Sequence, residues 1–486
     1  MLFNSLVFAL FLPIVFGVYW WLGGKKKGLA KQNVLLLLAS YVFYGWWDLR
    51  FLALIFVSSL TDFLVGRAMG KLASRAQRRP LLFLSLAVNL GMLGFFKYYN
   101  FFAKSFADGL HQLGMEVDPW TLKLILPVGI SFYTFQTLSY TIDVYRGQLP
   151  PSKNFVNFFA FVSFFPQLVA GPIEKARDLI PQFSVPRKFD YGQAVSGLRL
   201  ILYGILKKVM VADRLGEYVT HLHAHPESYD GWAVIIGAVF FTIQVYCDFS
   251  GYSDIALGTA RLFGFRLSVN FRTPLFSTST AELWRRWHIS LNAWFRDYVY
   301  VPLGGREGGP AIFYRNMFIV FMVSAFWHGA NWTYLAWGLI CALSYMLEGL
   351  IYPPKAGRKG VAGPLGWLWA IGGLCFAFIF FRSSSMEAGL DLVQKLNPWG
   401  TEPFALFTTF SSELDLFLTN RQEIYFLATL LVVFFALEAR IGKGSLDQVL
   451  DAWPRLVRWS FYYTAIALLI LFGAYGVPQQ FIYFQF

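Results

Sequence analysis

The stretch AIFYRNMFIVFMVSAFWHGANWTYLAWGLICALSYML, residues 311–347, decides what kind of molecule this is. It holds two apolar runs separated by a short polar turn, each close to the length a helix needs to cross a ~30 Å hydrocarbon layer. The residue at the junction is a histidine, His328. Working outward, the same pattern recurs at 3–22, 33–47, 81–96, 233–247, 363–381, 424–438 and 460–473. Over the 486 residues 56% are hydrophobic and 14% charged, which excludes a soluble domain of ordinary composition. The expectation is an all-α polytopic membrane protein with about ten to twelve spanning helices. No internal repeat, low-complexity tract or Pro-rich linker divides it, so a single membrane-embedded domain over residues 1–486 is expected.

Charge and aromatic placement fit a bilayer. Many of the 52 Phe, 25 Tyr and 17 Trp residues lie near run ends, where amphipathic rings suit the headgroup level. The formal charge of +13 resides in short loops between apolar runs, which argues for positive-inside bias and against nucleic acid as a partner. Lys25, Lys26, Lys27 and Lys31 follow the first run and Arg67, Lys71, Arg75, Arg78 and Arg79 follow the third, so both loops are placed in the cytoplasm and the N-terminus outside. The loop at 103–120, with Asp108, Glu116 and Asp118, and the stretch 383–422 are then external, and Lys355, Arg358 and Lys359 mark another cytoplasmic turn. The first run has neither a basic leader nor a small-residue cleavage site and reads as a retained span. Cys247, Cys341 and Cys375 have no CxxC spacing and read as packing residues.

Residues 155–172 break the pattern, because an apolar segment barely long enough to cross carries Pro166, Gly171 and Pro172. A re-entrant or surface-lying helix is expected there. Irregular backbone at membrane depth is tolerated only where protein or a water-filled cavity satisfies it, so this break points to a chamber.

Three constellations carry chemistry. In ELWRRWHISLNAWFRD, residues 282–297, Arg285, Arg286, Arg296 and His288 sit among aromatic rings. One reading is an interfacial helix with a cationic face toward lipid phosphate. The other is a cytoplasmic vestibule whose guanidinium groups, with Arg272 and Arg306 adding to them, meet the phosphates of an acyl carrier such as coenzyme A. In SAFWHGANW, residues 324–332, His328 with Ser324 and Asn331 places a titratable group inside the membrane, where such groups are costly and suggest function. Acyl transfer to a hydroxyl needs a base, and histidine suits that role near neutral pH; a histidine bonded to a neighbouring helix is the plainer alternative. His288 and His328 must lie on separate elements if they share a site. In QVYCDFSGYSD, residues 244–254, Asp248, Tyr252 and Asp254 interrupt an apolar run. At 100° per residue the two acids point to different sides of a helix, which disfavours a paired dyad and leaves roles in holding arginines or orienting a histidine.

His221, His223 and His225 would share a face only in extended chain, so no metal site is assigned. There is no Gly-x-Ser-x-Gly elbow, no phosphate-binding Gly-rich loop and no His-Glu-x-x-His pair, which excludes the common hydrolase and ATPase designs.

Eight segments in order resemble the membrane-bound O-acyltransferase superfamily, and more narrowly its bacterial branch typified by the alginate O-acetyltransferase membrane subunit. They are NVLLLLASYVFYGWW (33–47), LPVGISFYTFQTLSYTIDVYRG (126–147), FPQLVAGP (165–172), YCDFSGYSDIALG (246–258), WRRWHIS (284–290), RDYVYVPLGG (296–305), FWHGAN (326–331) and FIYFQF (481–486). The resemblance implies helices around a central tunnel with both histidine motifs inside, His328 matching the catalytic histidine and His288 a supporting one. It implies a multi-pass protein of the bacterial cytoplasmic (inner) membrane that binds no resident cofactor and takes acetyl from a cytoplasmic donor, acetyl-CoA. The acceptor is an exported polysaccharide such as alginate, reached directly or through an extracytoplasmic acetyltransferase partner protein. Ser324, Asn331, Asp248, Tyr252, Asp254, Arg285 and Arg286 are candidates for the donor site and tunnel lining. Two alternatives remain open at this point: D-alanyl transfer to teichoic acid, and a proton-coupled transporter using Asp248, Asp254 and His328.

Overall fold

A computed structural model describes residues 1–24, 27–169, 171–226, 229, 231–352, 363–396, 421–442, 444–474 and 481–482. Lys25, Lys26, Lys355, Arg358 and Lys359, nearly all of the external stretch after residue 396, and the last four residues of FIYFQF lie outside the described residues. The described residues contain helices and no β-strand, as an all-α reading requires. Eight of their helices are long and apolar enough to cross a membrane, fewer than the ten to twelve expected. The chain falls into two compact units, Met1–Ile201 with Ser253–Val269, and Leu202–Tyr252 with Asn270–Phe486.

The first unit is built on α1 (Leu6–Gly23), α2 (Gly28–Gly45), α3 (Arg50–Met69), α4 (Arg75–Leu93), α5 (Tyr99–Gln112), α6 (Ile130–Arg146) and α7 (Phe155–Ser163). The Ser5 hydroxyl accepts from the Phe8 N–H at 3.2 Å and starts α1 by satisfying one of its orphan donors. The Tyr19 hydroxyl and the Trp20 indole then donate to the carbonyls of Phe263 and Leu262, which ties α1 to the returning segment of its own unit. At its start α4 carries a capping box, Ser74 with Gln77, and it runs through a π turn into α5. The loop expected at 103–120 therefore begins only at Leu113, because α5 stays helical through Gln112.

Both α3 and α4 pack on α6, whose Ser131, Thr134, Gln136, Thr137, Ser139, Thr141 and Asp143 are all buried. Asp62 on α3 is the polar knot of this packing: it accepts from the Ser85 hydroxyl and from Asn89 Nδ2 (2.9 Å) on α4, and Asn89 Oδ1 accepts from Ser58 at 2.6 Å. The broken segment is α7 followed by a turn at Phe164 and a four-residue helix, Phe165–Leu168. Nine residues span only about 14 Å, too short to cross, and residues 157–169 are buried in protein. The interruption therefore ends a helix inside the unit and does not lie on its surface.

In the second unit the elements are α8 (Tyr191–Ile205), which enters it from the first unit, α9 (Asp213–Ala224), α10 (Gly231–Leu262), which leaves it again, α11 (Thr280–Arg286), α12 (Ile289–Phe295), α13 (Pro310–His328), α14 (Trp332–Ile351), α15 (Gly373–Arg382), α16 (Arg421–Ile441) and α17 (Arg455–Phe472). Pro310 opens α13 at a position where its missing N–H costs nothing. Between α13 and α14, Gly338 faces Ala325 so closely that any Cβ would collide with it, and small residues at such crossings let helix backbones approach. A core of Tyr246, Trp287, Phe321, Trp337, Phe378, Phe381, Phe434 and Ile482 fills this unit.

Candidate active site

The second unit brings the two histidines together by two different local devices. The first is a latch. Helix α11 starts at Ser279, whose hydroxyl accepts from the Glu282 N–H at 3.1 Å, and ends at Arg286. His288 then takes a left-handed conformation (φ 43°, ψ 54°), which a side chain with a Cβ adopts only at a cost of about 1–2 kcal/mol. The cost is met by hydrogen bonds on both sides. The Arg272 N–H donates to the Arg286 carbonyl at 3.0 Å and the Ile289 N–H to the Asn270 carbonyl at 2.9 Å. The Ser290 hydroxyl donates to Asn270 Oδ1 at 2.6 Å, and Asn292 Nδ2 donates to the carbonyls of Trp284 and Trp287, each at 2.7 Å. These bonds turn His288 inward, where Phe249 meets it edge-on at 4.6 Å and Phe271 stacks at 6.4 Å. Burial pushes the imidazole down to about 3, so His288 is neutral at physiological pH.

The second device is a helix end. His328 is the last residue of α13, and Gly329 follows in extended conformation. A Cβ at 329 would fall inside the ring of Tyr334, so this glycine is required by space and not by its φ angle. Asn331 caps α14: Oδ1 accepts from the Thr333 N–H at 3.2 Å and Nδ2 donates to the Ser384 carbonyl at 3.0 Å. The buried His328 ring lies against Trp337 at 5.0 Å and Phe381 at 5.5 Å. Trp327 joins the two devices, with its ring 4.9 Å from His328 and 6.0 Å from His288. Two histidines 40 positions apart in sequence thus flank one indole.

The remaining candidates separate. Ser324 is half-buried one helical turn before His328. Asp248 is buried and engaged at both oxygens, by Lys208 Nζ at 2.8 Å and by the Ile482 N–H at 2.8 Å, while Lys208 also pairs with Asp213 at 2.6 Å. Tyr252 packs on Phe481 at 4.4 Å, and Phe481 reaches Phe249 at 5.9 Å. Asp254 belongs to the first unit. The two acids thus part company, as their helical spacing required, and Asp248 holds a lysine where an arginine or histidine was expected.

The arginines also part. Arg286 is paired with Glu282 at 2.7 Å, and burial, which alone would raise that carboxyl, is outweighed by the Thr278 N–H and by Arg286. Arg285 and Arg306, with Glu282, Glu348, Tyr314 and Tyr345, line a cavity of about 840 Å³, and Arg306 lies over the Phe313 ring at 4.8 Å. Arg272 contributes its backbone to the latch and is absent from the cavity wall. On the inner side of α11, Leu283 is buried and Trp284 packs on Trp337 at 6.1 Å, so a single short helix lines the arginine cavity with Arg285 and packs on the rings beside His328 with Trp284.

Around the three close histidines, α9 remains helical through Ala224, so His221, His223 and His225 do not share one extended face. His223 Nδ1 meets its own helix carbonyl at Val219 and His221 Nδ1 meets the Tyr229 hydroxyl. Sequence reading missed Trp327, Trp337, Lys208 and Asp213. Only the i, i+3 spacing of Tyr334 and Trp337 after FWHGAN signals that α14 presents rings to the histidine.

Comparison with known proteins gives the family. The model of the membrane-bound O-acyltransferase family matches residues 46–356. A protein named probable alginate O-acetylase from Pseudomonas aeruginosa is 39% identical over 82% of this chain and 76% of its own length. A peptidoglycan O-acetyltransferase from Helicobacter pylori is 32% identical over 81% and 79%. A teichoic acid D-alanyltransferase from Streptococcus thermophilus is 29% identical over 51% and 63%. With a family match over most of its length and a histidine pair enclosed in aromatic rings, the chain belongs to the membrane-bound O-acyltransferase family: it is a multi-pass membrane enzyme that moves an acyl group to an oxygen acceptor.

Proposed function

We propose that the enzyme takes acetyl from acetyl-CoA on the cytoplasmic side of the bacterial inner membrane and delivers it for O-acetylation of an exported polysaccharide of the alginate kind, directly or through an extracytoplasmic acetyltransferase partner. The observation that carries the reading is α11, with Arg285 on the wall of the 840 Å³ cavity and Trp284 packed toward His328 through Trp337. Guanidinium groups suit the phosphates of coenzyme A, and α11 links that site to the rings beside His328. The likeness to proteins named for alginate O-acetylation supports the acceptor class.

In this reading His328 is the base for the attacking hydroxyl. His288, neutral through burial, supports the chamber as a hydrogen-bonding group without adding charge. Asp248 and Tyr252 act indirectly, through the Ile482 amide and the Phe481 ring. Asn331 acts by capping α14, which carries Trp337 beside His328, and Ser324 stands one helical turn before His328 on α13.

Donor identity is the discriminating test against D-alanyl transfer. The protein purified in detergent is given radiolabelled acetyl-CoA or, separately, a D-alanyl thioester of a carrier protein. Release of label from acetyl-CoA alone is the expected result; turnover of the carrier thioester alone overturns the acetyl reading.

A further inference from the structure

Trp337 packs on the His328 ring at 5.0 Å and is only 3% exposed. An indole offers one N–H donor and no acceptor. Among the described residues no hydrogen-bond acceptor meets Trp337 Nε1. Three other indoles have carbonyl acceptors: Trp20 donates to Leu262 at 3.0 Å, Trp367 to Leu275 at 2.8 Å and Trp369 to Ser344 at 3.4 Å. Around Trp337 stand rings, His328 at 5.0 Å, Phe381 at 5.3 Å and Trp284 at 6.1 Å, which offer at most weak π-face acceptance. A buried donor left in that state destabilises the fold, and its position beside the base gives it a use.

We propose that Trp337 is a catalytic residue whose Nε1–H donates a hydrogen bond to the acyl carbonyl oxygen as that oxygen gains negative charge. This rests on the reading that the donor is a thioester. In the step, the acceptor hydroxyl oxygen bonds to the carbonyl carbon while His328 takes the hydroxyl proton. The carbonyl π electrons move onto oxygen, where the Trp337 N–H meets them. They return as the carbon–sulfur bond breaks, and the leaving thiolate takes the proton from His328, so that hydroxyl and thioester become ester and thiol. A donor fixed in a dry chamber needs no reorganisation at that moment, and single donors of this kind are worth about a hundredfold or more in rate.

The test is Trp337→Phe, which keeps an aromatic ring and removes the N–H. The expected result is a fall in kcat of about a hundredfold with KM for the thioester unchanged, since the bond strengthens only in the transition state. Thermal stability in detergent is expected to hold or rise, because an unmet donor has been removed. Trp337→His, which keeps a ring N–H, recovers part of the rate. A lower melting temperature in Trp337→Phe, or wild-type kcat in it, overturns the proposal. The stability arm needs no donor, and the kinetic arm is run with both acetyl-CoA and the D-alanyl carrier thioester. A wrong acetyl donor then shows as a wild-type preference, while a wrong role for Trp337 shows as an unchanged ratio of variant to wild type.

Discussion

Asp62 in the first unit and the histidine chamber in the second both place polar groups within apolar helices, yet they are built on opposite plans. Asp62 is fully buried and surrounded by neutral donors from one neighbouring helix, Ser85 and Asn89, with Ser58 and Thr137 completing the network. Every group there is engaged by a side chain of comparable reach, which is how an intramembrane acid serves packing. Around His288 and His328 the neighbours are rings, the backbone is held in a left-handed conformation, and an indole donor goes unmet. Burial of a polar group does not by itself mark function; what separates the two regions is that the Asp62 carboxylate is met by its neighbours, whereas the Trp337 N–H is left for a substrate.

This contrast can be broken or sharpened by substitution. Among substitutions outside the reacting groups, the largest effect is expected at Gly329→Ala, where the new methyl must displace Tyr334 and with it the rings around His328. Transfer should fall about a hundredfold or more, as misplacement of a reacting group by ~1 Å does, and kinetics on the purified variant would show it as a loss of kcat. Next in size, Arg285→Ala and Arg306→Ala should each raise KM for acetyl-CoA about tenfold with kcat within about twofold, the loss of one charge-assisted contact to a phosphate. Equal losses in kcat would place these arginines in the chemistry and not at the donor entrance.

Smaller still, Asp62→Asn should cost about 1–3 kcal/mol of stability by leaving partners in the network mismatched. The expected readout is a lower melting temperature with kcat within about twofold. The smallest effect is a pH dependence. Buried His288 titrates near 3 when folded and near 6.5 when unfolded. Below 6.5 the unfolded chain binds a proton that the folded one refuses, so stability is full above that pH and declines as pH falls toward 3. The loss amounts to roughly 1.4 kcal/mol by pH 5.5. Melting curves at several pH values should show this slope in the wild type and a shallower one in His288→Gln, where buried His223, also held low, still contributes.

Much of this was legible in the sequence, for local reasons. Apolar run length gave the membrane class, and the motifs WRRWHIS and FWHGAN gave both histidines, because each motif encodes its own latch or helix end. What escaped was set by contacts distant in the chain. Asp248 is engaged by Lys208, 40 residues earlier, and by the Ile482 amide, 234 residues later, and nothing local to residue 248 names either partner. Helix α6 is not among the apolar runs because it is rich in hydroxyls and amides, which turn out to be buried against protein. Asn331 was read as a chamber group, whereas its side chain caps α14, a use that its position just before an apolar run also fits.

The most direct test of the account sets its two regions side by side, in one assay of acetyl release from radiolabelled acetyl-CoA by purified protein. His328→Ala is expected to be silent while eluting as folded protein, and Asp62→Asn is expected to turn over within about twofold of wild type. Turnover that persists in His328→Ala, or silence in a folded Asp62→Asn, would contradict the assignment of the chemistry to the histidine chamber.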